Sequence, residues 1–187
     1  ETGLRTMSDH PESTASAAPA DAAPLPPEQA EMLAKLAPGV LYAAEQDMWV
    51  LPEADGTLRV GATHLVAAHG QFMLFTPRPV GTEVVRDQSL GVMETAKTAV
   101  AIHAPVSGRV VEGNPAVVDD VSLIERDPYG AGWLFRLQPS ALEAERVTLM
   151  DVAGYATWLA PRLAQKLAKP IDDEFGEDLT VDPHRGY

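Results

Sequence analysis

Short apolar alternations, cut by Gly, Pro and Asp, set the grammar of the middle of this chain. Met48–Leu51 and Thr57–Gly61 flank Ala54-Asp55-Gly56 and predict a hairpin. Gln71–Thr76 reads as a further strand, ended by Pro77 and Pro79. Glu83–Val85, Ser89–Glu94 and Thr98–His103 follow. Pro105 and Ser107-Gly108 then turn the chain into Arg109–Glu112, and Trp133–Leu137 is the last alternation. Strands at this density, separated by turn residues, predict a mainly β fold, a small sandwich or barrel between Val40 and Gln138.

The period changes at both ends. Pro27 opens a helical stretch over Glu28–Leu36, with Met32, Leu33 and Leu36 as its apolar stripe and Pro38-Gly39 as its stop. After the strands, Ser140-Ala141-Leu142-Glu143 fits a capping box. Asp151 is expected to cap a second helix carrying Val152, Tyr155, Leu159, Leu163 and Leu167 on one face. Pro161 lies inside that pattern and is expected to kink or divide it. Residues 1–27, rich in Ala, Pro, Ser and Asp, show no period, and 170–187 are acidic and aperiodic. The chain thus divides into an Ala/Pro-rich tail and short helix (1–39), a β domain (40–160), and a helix end with an acidic tail (161–187). Both tails are expected to be flexible.

Composition narrows the chemistry. The 187 residues are 45% hydrophobic and 22% charged, which is globular and sized for one domain. With no cysteine, disulfides, thiolate nucleophiles, Cys-ligated zinc and Fe–S clusters are excluded. A net charge of -13 repels phosphate backbones and anionic lipid, so neither nucleic acid nor membrane is an expected partner. No apolar run reaches the roughly 18 residues of a membrane helix. The acidic, nearly Arg-free residues 1–27 resemble neither a secretory signal nor a transit peptide, which makes a cytoplasmic location the expectation.

Most polar residues have plain readings. His64 and His69 are five apart, not at the helical spacing of a metal pair. His103 is read as a hydrogen-bonded structural histidine, and Ser107 has no nucleophile elbow around it. Trp49, Trp133 and Trp158 are expected in the core. No nucleophile, acid–base pair or metal cluster is evident, so the chain is not expected to be an enzyme on its own.

One residue stands apart. Among four lysines and ten arginines, Lys97 is the only lysine between residues 36 and 165. A primary amine can be acylated, a role arginine cannot fill. The alternations Leu90–Met93 and Val100–Ile102 put Glu94-Thr95-Ala96-Lys97-Thr98 at a hairpin tip. Gly81, 16 residues before Lys97, and Gly108, 11 after it, are both placed in turns, where glycine can take a positive φ.

These residues resemble the lipoyl and biotinyl carrier domains, and most closely the H proteins of the glycine cleavage system, whose lysine segment reads like Glu-Ser-Val-Lys-Ala. Biotin carriers usually have Met on both sides of the lysine, whereas Ala96 and Thr98 stand here. Ala104-Pro105-Val106-Ser107-Gly108-Arg109-Val110-Val111-Glu112-Gly113-Asn114 is similar to the family's strand and turn after the lysine. Asp127-Pro128-Tyr129-Gly130-Ala131-Gly132-Trp133-Leu134-Phe135 is similar to an H-protein signature that other lipoyl domains lack, and Leu149–Tyr155 resembles the family's C-terminal helix. The departures are Asp47-Met48-Trp49-Val50 for His-Glu-Trp-Val, Thr76-Pro77-Arg78-Pro79 for an acidic Glu-Leu-Pro segment, and Asp87 for a turn glycine.

The resemblance implies a barrel-sandwich hybrid with flanking short helices. It implies covalent lipoate on Lys97, placed there by a lipoate ligase or lipoyl transferase that reads Glu94, with Gly81 and Gly108 shaping the turns that present the lysine. It implies a carrier without its own active site, passing an aminomethyl group from glycine decarboxylase to an aminomethyltransferase and being reoxidised by dihydrolipoyl dehydrogenase. Two alternatives stay open at this point. One is an H-like lipoate-binding protein serving sulfur-oxidation enzymes, and the other is an unlipoylated protein-binding module.

Overall fold

The computed structural model describes residues 25–67 and 71–168. His69, residues 1–24 and residues 169–187, on which much of the tail expectation falls, lie outside that description. The chain runs through α1 (Pro27–Ala34), β1 (Leu41–Ala43), β2 (Met48–Pro52), β3 (Leu58–Ala62), α2 (His64–Ala67), β4 (Phe72–Pro77) and β5 (Glu83–Val84). It continues through β6 (Ser89–Thr95), β7 (Ala99–His103), β8 (Gly108–Gly113), α3 (Pro115–Asp119), α4 (Leu123–Arg126), β9 (Phe135–Pro139), α5 (Leu142–Glu145) and α6 (Val152–Ala168).

Two antiparallel sheets result, a six-stranded one in the order β1-β2-β3-β9-β8-β5 and a three-stranded one in the order β4-β6-β7. The β2–β3 hairpin pairs Val50 with Val60. Its turn closes as the alternation predicts: Asp55 Oδ1 accepts from the Thr57 N–H at 2.9 Å, and Gly56 takes φ 83°. Val50, Val60, Phe75, Met93, Phe135 and Leu137 meet in the core, where an edge-on contact between Phe75 and Phe135 (5.5 Å) joins the two sheets. Each such side chain, fully buried, contributes about 1.5–3 kcal/mol against exposure.

A second core lies on the back of the six-stranded sheet. β2 buries Met48 and Val50 on one face and Trp49 on the other. Trp49 joins Leu36, Tyr42, Tyr155, Leu159 and Leu163 beneath α1 and α6. Tyr42 stacks on Tyr155 at 4.4 Å with ring planes 2° apart. Gly61 opposes Trp49 in the ladder because a Cβ there would fall 2.5 Å from the indole. The expected stripe packs inward, with Met32 and Leu33 of α1 half-buried and Leu36, two residues past the helix end, buried. Of the three tryptophans only Trp49 is fully buried; Trp133 and Trp158 are half-buried against this cluster.

One local expectation fails and another holds at most in part. No capping box forms at 140–143, because the Ser140 N–H is taken by Ser107 O (3.0 Å) in continuation of the β8–β9 ladder, and Ala141 caps α5 without a side-chain bond. Of the two outcomes expected of Pro161, division is excluded, since α6 runs as one helix from Val152 to Ala168. Pro161 removes the bond to the Thr157 carbonyl, but both residues are exposed, so water can satisfy the freed acceptor. The Asp151 cap does form, with Oδ1 accepting from the Gly154 N–H at 2.7 Å.

Candidate functional site

The hairpin β6–β7 carries Lys97 at its tip. The ladder runs from Ser89 opposite His103 to Glu94 opposite Ala99, and Ala96 and Lys97 form a two-residue loop between Thr95 and Thr98. Such loops favour types with positive φ. Neither Ala96 nor Lys97 takes one, so side-chain bonds hold this turn. Thr95 Oγ1 accepts from the N–H of Lys97 (3.2 Å) and of Thr98 (3.1 Å), and the Thr95 N–H donates to Thr98 O (2.8 Å). Thr95 is thus a site residue the sequence reading passed over. The signal was there, since a threonine two residues before the lysine can form a local side-chain turn.

Lys97 is exposed, and among the described residues it makes no ion pair or side-chain hydrogen bond. Glu94, three residues before it, is also exposed and, among the same residues, unpaired. An amine in that position is open to an approaching acyl donor and has no carboxylate to be pulled from.

The glycines fall elsewhere. Gly81 does sit in a turn, with φ 88° and open space where a Cβ would be. Gly108 does not: it lies in β8 without a positive φ, and what requires glycine is Gln138 O, 2.5 Å from the point a Cβ would occupy. Gly108 pairs with Val84 in the β5–β8 ladder of the six-stranded sheet, and Gly81 lies in the turn leading into β5, its N–H donating to Val110 O (2.8 Å). Neither touches the lysine turn. Asp87, in the place of a turn glycine, takes φ 73°, a conformation Asp tolerates better than most residues.

Of the remaining candidates, His64 and Ser107 take structural roles and His103 does not. His64 Nδ1 lies 2.9 Å from the Tyr129 hydroxyl, and burial holds its pKa below the ordinary value. His103 is exposed at the end of β7 and has no side-chain hydrogen bond among the described residues, contrary to its structural reading, because its strand position points it out of the sheet. Ser107 is a clamp: its N–H and Oγ both donate to the Glu145 carboxylate (2.7 and 2.5 Å), and Oγ accepts from the Arg86 N–H (2.9 Å). No cluster of three or more His, Asp or Glu side chains able to hold a metal is found among the described residues.

With this geometry in hand, the relatives are informative. The model of the glycine cleavage H-protein family matches residues 40–161. The glycine cleavage system H protein of Paraburkholderia phymatum is 40% identical over 119 residues, 63% of this chain and 93% of that one. That of Halorhodospira halophila is 39% identical over 113 residues, covering 60% and 86%. The crystal structure of a glycine cleavage system H protein from Mycobacterium marinum superposes with a TM-score of 0.58 at 36% identity, over 66% of this chain and 98% of that one. The two-sheet architecture is the barrel-sandwich hybrid of that structure. On this match the chain belongs to the glycine cleavage H-protein family.

Proposed function

We propose that this protein is a lipoyl carrier of glycine cleavage and that its lipoyl group is joined as an amide to Nζ of Lys97. Proteins of the family carry lipoate covalently and work with the other components of the glycine cleavage system. The observation that carries the assignment to Lys97 is its place in the two-residue loop, exposed and free of any ion pair among the described residues. Amide formation removes the lysine charge and leaves a tethered arm. When attached, the lipoyl group supplies a reducible disulfide to a chain that has no cysteine.

What the chain itself contributes is presentation. Thr95 fixes the turn, the β6–β7 ladder holds it away from the core, and Met93 and Ile102 anchor the hairpin inward. Tethering turns each transfer at a docked partner into an intramolecular step. The partners this implies are a lipoate ligase or lipoyl transferase, glycine decarboxylase, aminomethyltransferase and dihydrolipoyl dehydrogenase. The chain acts as their shared substrate rather than as an enzyme, in a cytoplasmic setting. The relatives are named for glycine cleavage, which favours that pathway over sulfur oxidation.

Intact mass after expression in cells competent for lipoylation tests the reading. The protein should gain one lipoyl group, and Lys97→Arg should gain none while melting at the same temperature. A wild-type mass without the increment, or an increment that persists in Lys97→Arg, overturns it. Lipoylated protein should then support glycine–bicarbonate exchange with a glycine decarboxylase.

A further inference from the structure

The three strands of the lysine sheet contain a single Asp, Glu, Lys or Arg, namely Glu94. In a chain with 27 acidic and 14 basic residues, that is an unusual stretch of uncharged surface. Its edge strand β4 adds a second peculiarity. Phe72 and Phe75 are both buried, although three-residue spacing puts them on opposite faces of a regular strand. A bulge between Phe72 and Leu74 resolves the conflict. The consequence is that Met73 and Leu74 both turn outward, 67% and 47% exposed. Among the described residues they are the one pair of chain neighbours in which two large apolar side chains are both exposed.

The bulge sits at a telling place. Phe72 pairs with Thr95 and Leu74 with Glu94, the last rungs before the lysine loop. Leu74 is therefore about 10 Å along the hairpin from Lys97, at about 3.3 Å per residue. An enzyme acting on the end of a long arm can dock well away from the lysine. An enzyme that acylates Nζ must bring its own active site to the loop. With a footprint on the order of 800 Å² per partner, it covers these rungs.

We infer that Met73 and Leu74, turned outward by the β4 bulge, form with Glu94 the docking edge for the enzyme that acylates Lys97. This rests on the carrier reading above. The partner it fits has an apolar patch beside the mouth of its acyl site and a cation placed to meet Glu94, the one charge on the sheet. In the step so guided, the lysine nitrogen attacks the acyl carbon of an acyl-adenylate. The amide C–N bond forms, the acyl C–O bond breaks, AMP leaves with the electron pair, and the amine proton passes to solvent.

The experiment uses the purified, unlipoylated full chain with a lipoate–protein ligase, lipoate and ATP, following intact mass against time over a range of carrier concentrations. The double variant Met73→Ser/Leu74→Ser should raise KM for the carrier about tenfold and leave kcat within about twofold, the loss expected for apolar anchors at an interface. Val80→Ser, removing an equally exposed valine (68%) in the β4–β5 connection, should change neither. If the double variant is acylated with wild-type kcat/KM, the docking edge is refuted while modification of Lys97 in the wild type still supports the carrier. A wild-type chain that gains no lipoyl group removes both. Should the double variant fail to fold, hydrogen exchange of the wild type decides: adding ligase should slow residues 72–76, and unchanged exchange there refutes the edge.

Discussion

The six-stranded and three-stranded sheets bury the same kinds of side chain between them, yet their other surfaces have opposite chemistry. The six-stranded sheet pairs many of its charges internally, though Glu83 and Arg109 stay exposed and unpaired among the described residues. Arg136 reaches Glu53 (2.9 Å), Asp55 (2.7 Å) and Glu112 (3.5 Å), and Arg59 also pairs with Glu53. Part of its back is roofed by α1 and α6. The three-stranded sheet has one charge, no roof of that kind among the described residues, and an unpaired amine at its tip. A surface on which most charges already have partners gains little from a visitor. A charge-poor apolar surface beside a free amine gains a great deal. The scaffold and the site are therefore separable, and mutations should sort accordingly.

Gly108→Ala gives the largest expected effect on stability. Its Cβ would meet the Gln138 carbonyl oxygen at 2.5 Å, and that oxygen belongs to the β9 backbone, which has no free direction to move. Overpacking of this kind costs about 2–3 kcal/mol. Gly81→Ala meets nothing and suffers only its φ of 88°, about 1–2 kcal/mol. Urea unfolding should rank them in that order, and both folded variants should be lipoylated at the wild-type rate. If Gly108→Ala acquires lipoate slowly while keeping wild-type stability, the glycine presents the lysine directly and the separation of the two sheets is broken.

A smaller contrast sharpens the same point through charge. Arg136→Met leaves Glu53, Asp55 and Glu112 without their shared cation, and because that cluster is open to water the variant should lose only a small part of the fold's stability. Glu94→Gln, on the bare sheet, should change stability by less than about 0.5 kcal/mol. Added salt should narrow the gap between wild type and Arg136→Met. Equal losses from the two variants would mean that Glu94 is structurally engaged after all.

The division of labour was partly visible in the residues themselves. Alternation and turn chemistry located the hairpin at 48–61, the β6–β7 hairpin and the lysine at its tip, because a period of two and an Asp-Gly turn are local signals. The strand at 71–76 was read as regular, and the β4 bulge escaped that reading because it follows from the burial of both Phe72 and Phe75, which is set by tertiary packing. What could not be read was where long-range partners compete for a local signal. Ser140 has the residues of a capping box, but the β8–β9 ladder claims its N–H. Gly108 follows a proline and a serine as turn glycines do, yet it is small for the sake of Gln138, 30 residues on. The helix α1 showed an apolar stripe, but that stripe alone does not say that Tyr155 and Leu159 of α6 share its cluster.

The gentlest test concerns the roofed side and pH. His64 sits under α1 with Nδ1 2.9 Å from the Tyr129 hydroxyl. Burial lowers its pKa from 6.5; the Met32 backbone opposes that shift and the Lys35 charge adds to it. The fold thus prefers the neutral ring. The stability this contributes is fully present above the ordinary value and is lost as pH falls through the depressed one. Each unit of depression is worth at most about 1.4 kcal/mol. Melting temperatures between pH 8 and pH 5 should fall less for His64→Gln, which cannot titrate, than for wild type. Lys97→Arg exchanges one exposed cation for another on the bare sheet and should track the wild-type profile. A His64→Gln profile parallel to wild type would show that the aromatic roof does not sense the proton, and that acid sensitivity has to be sought among the carboxylates instead.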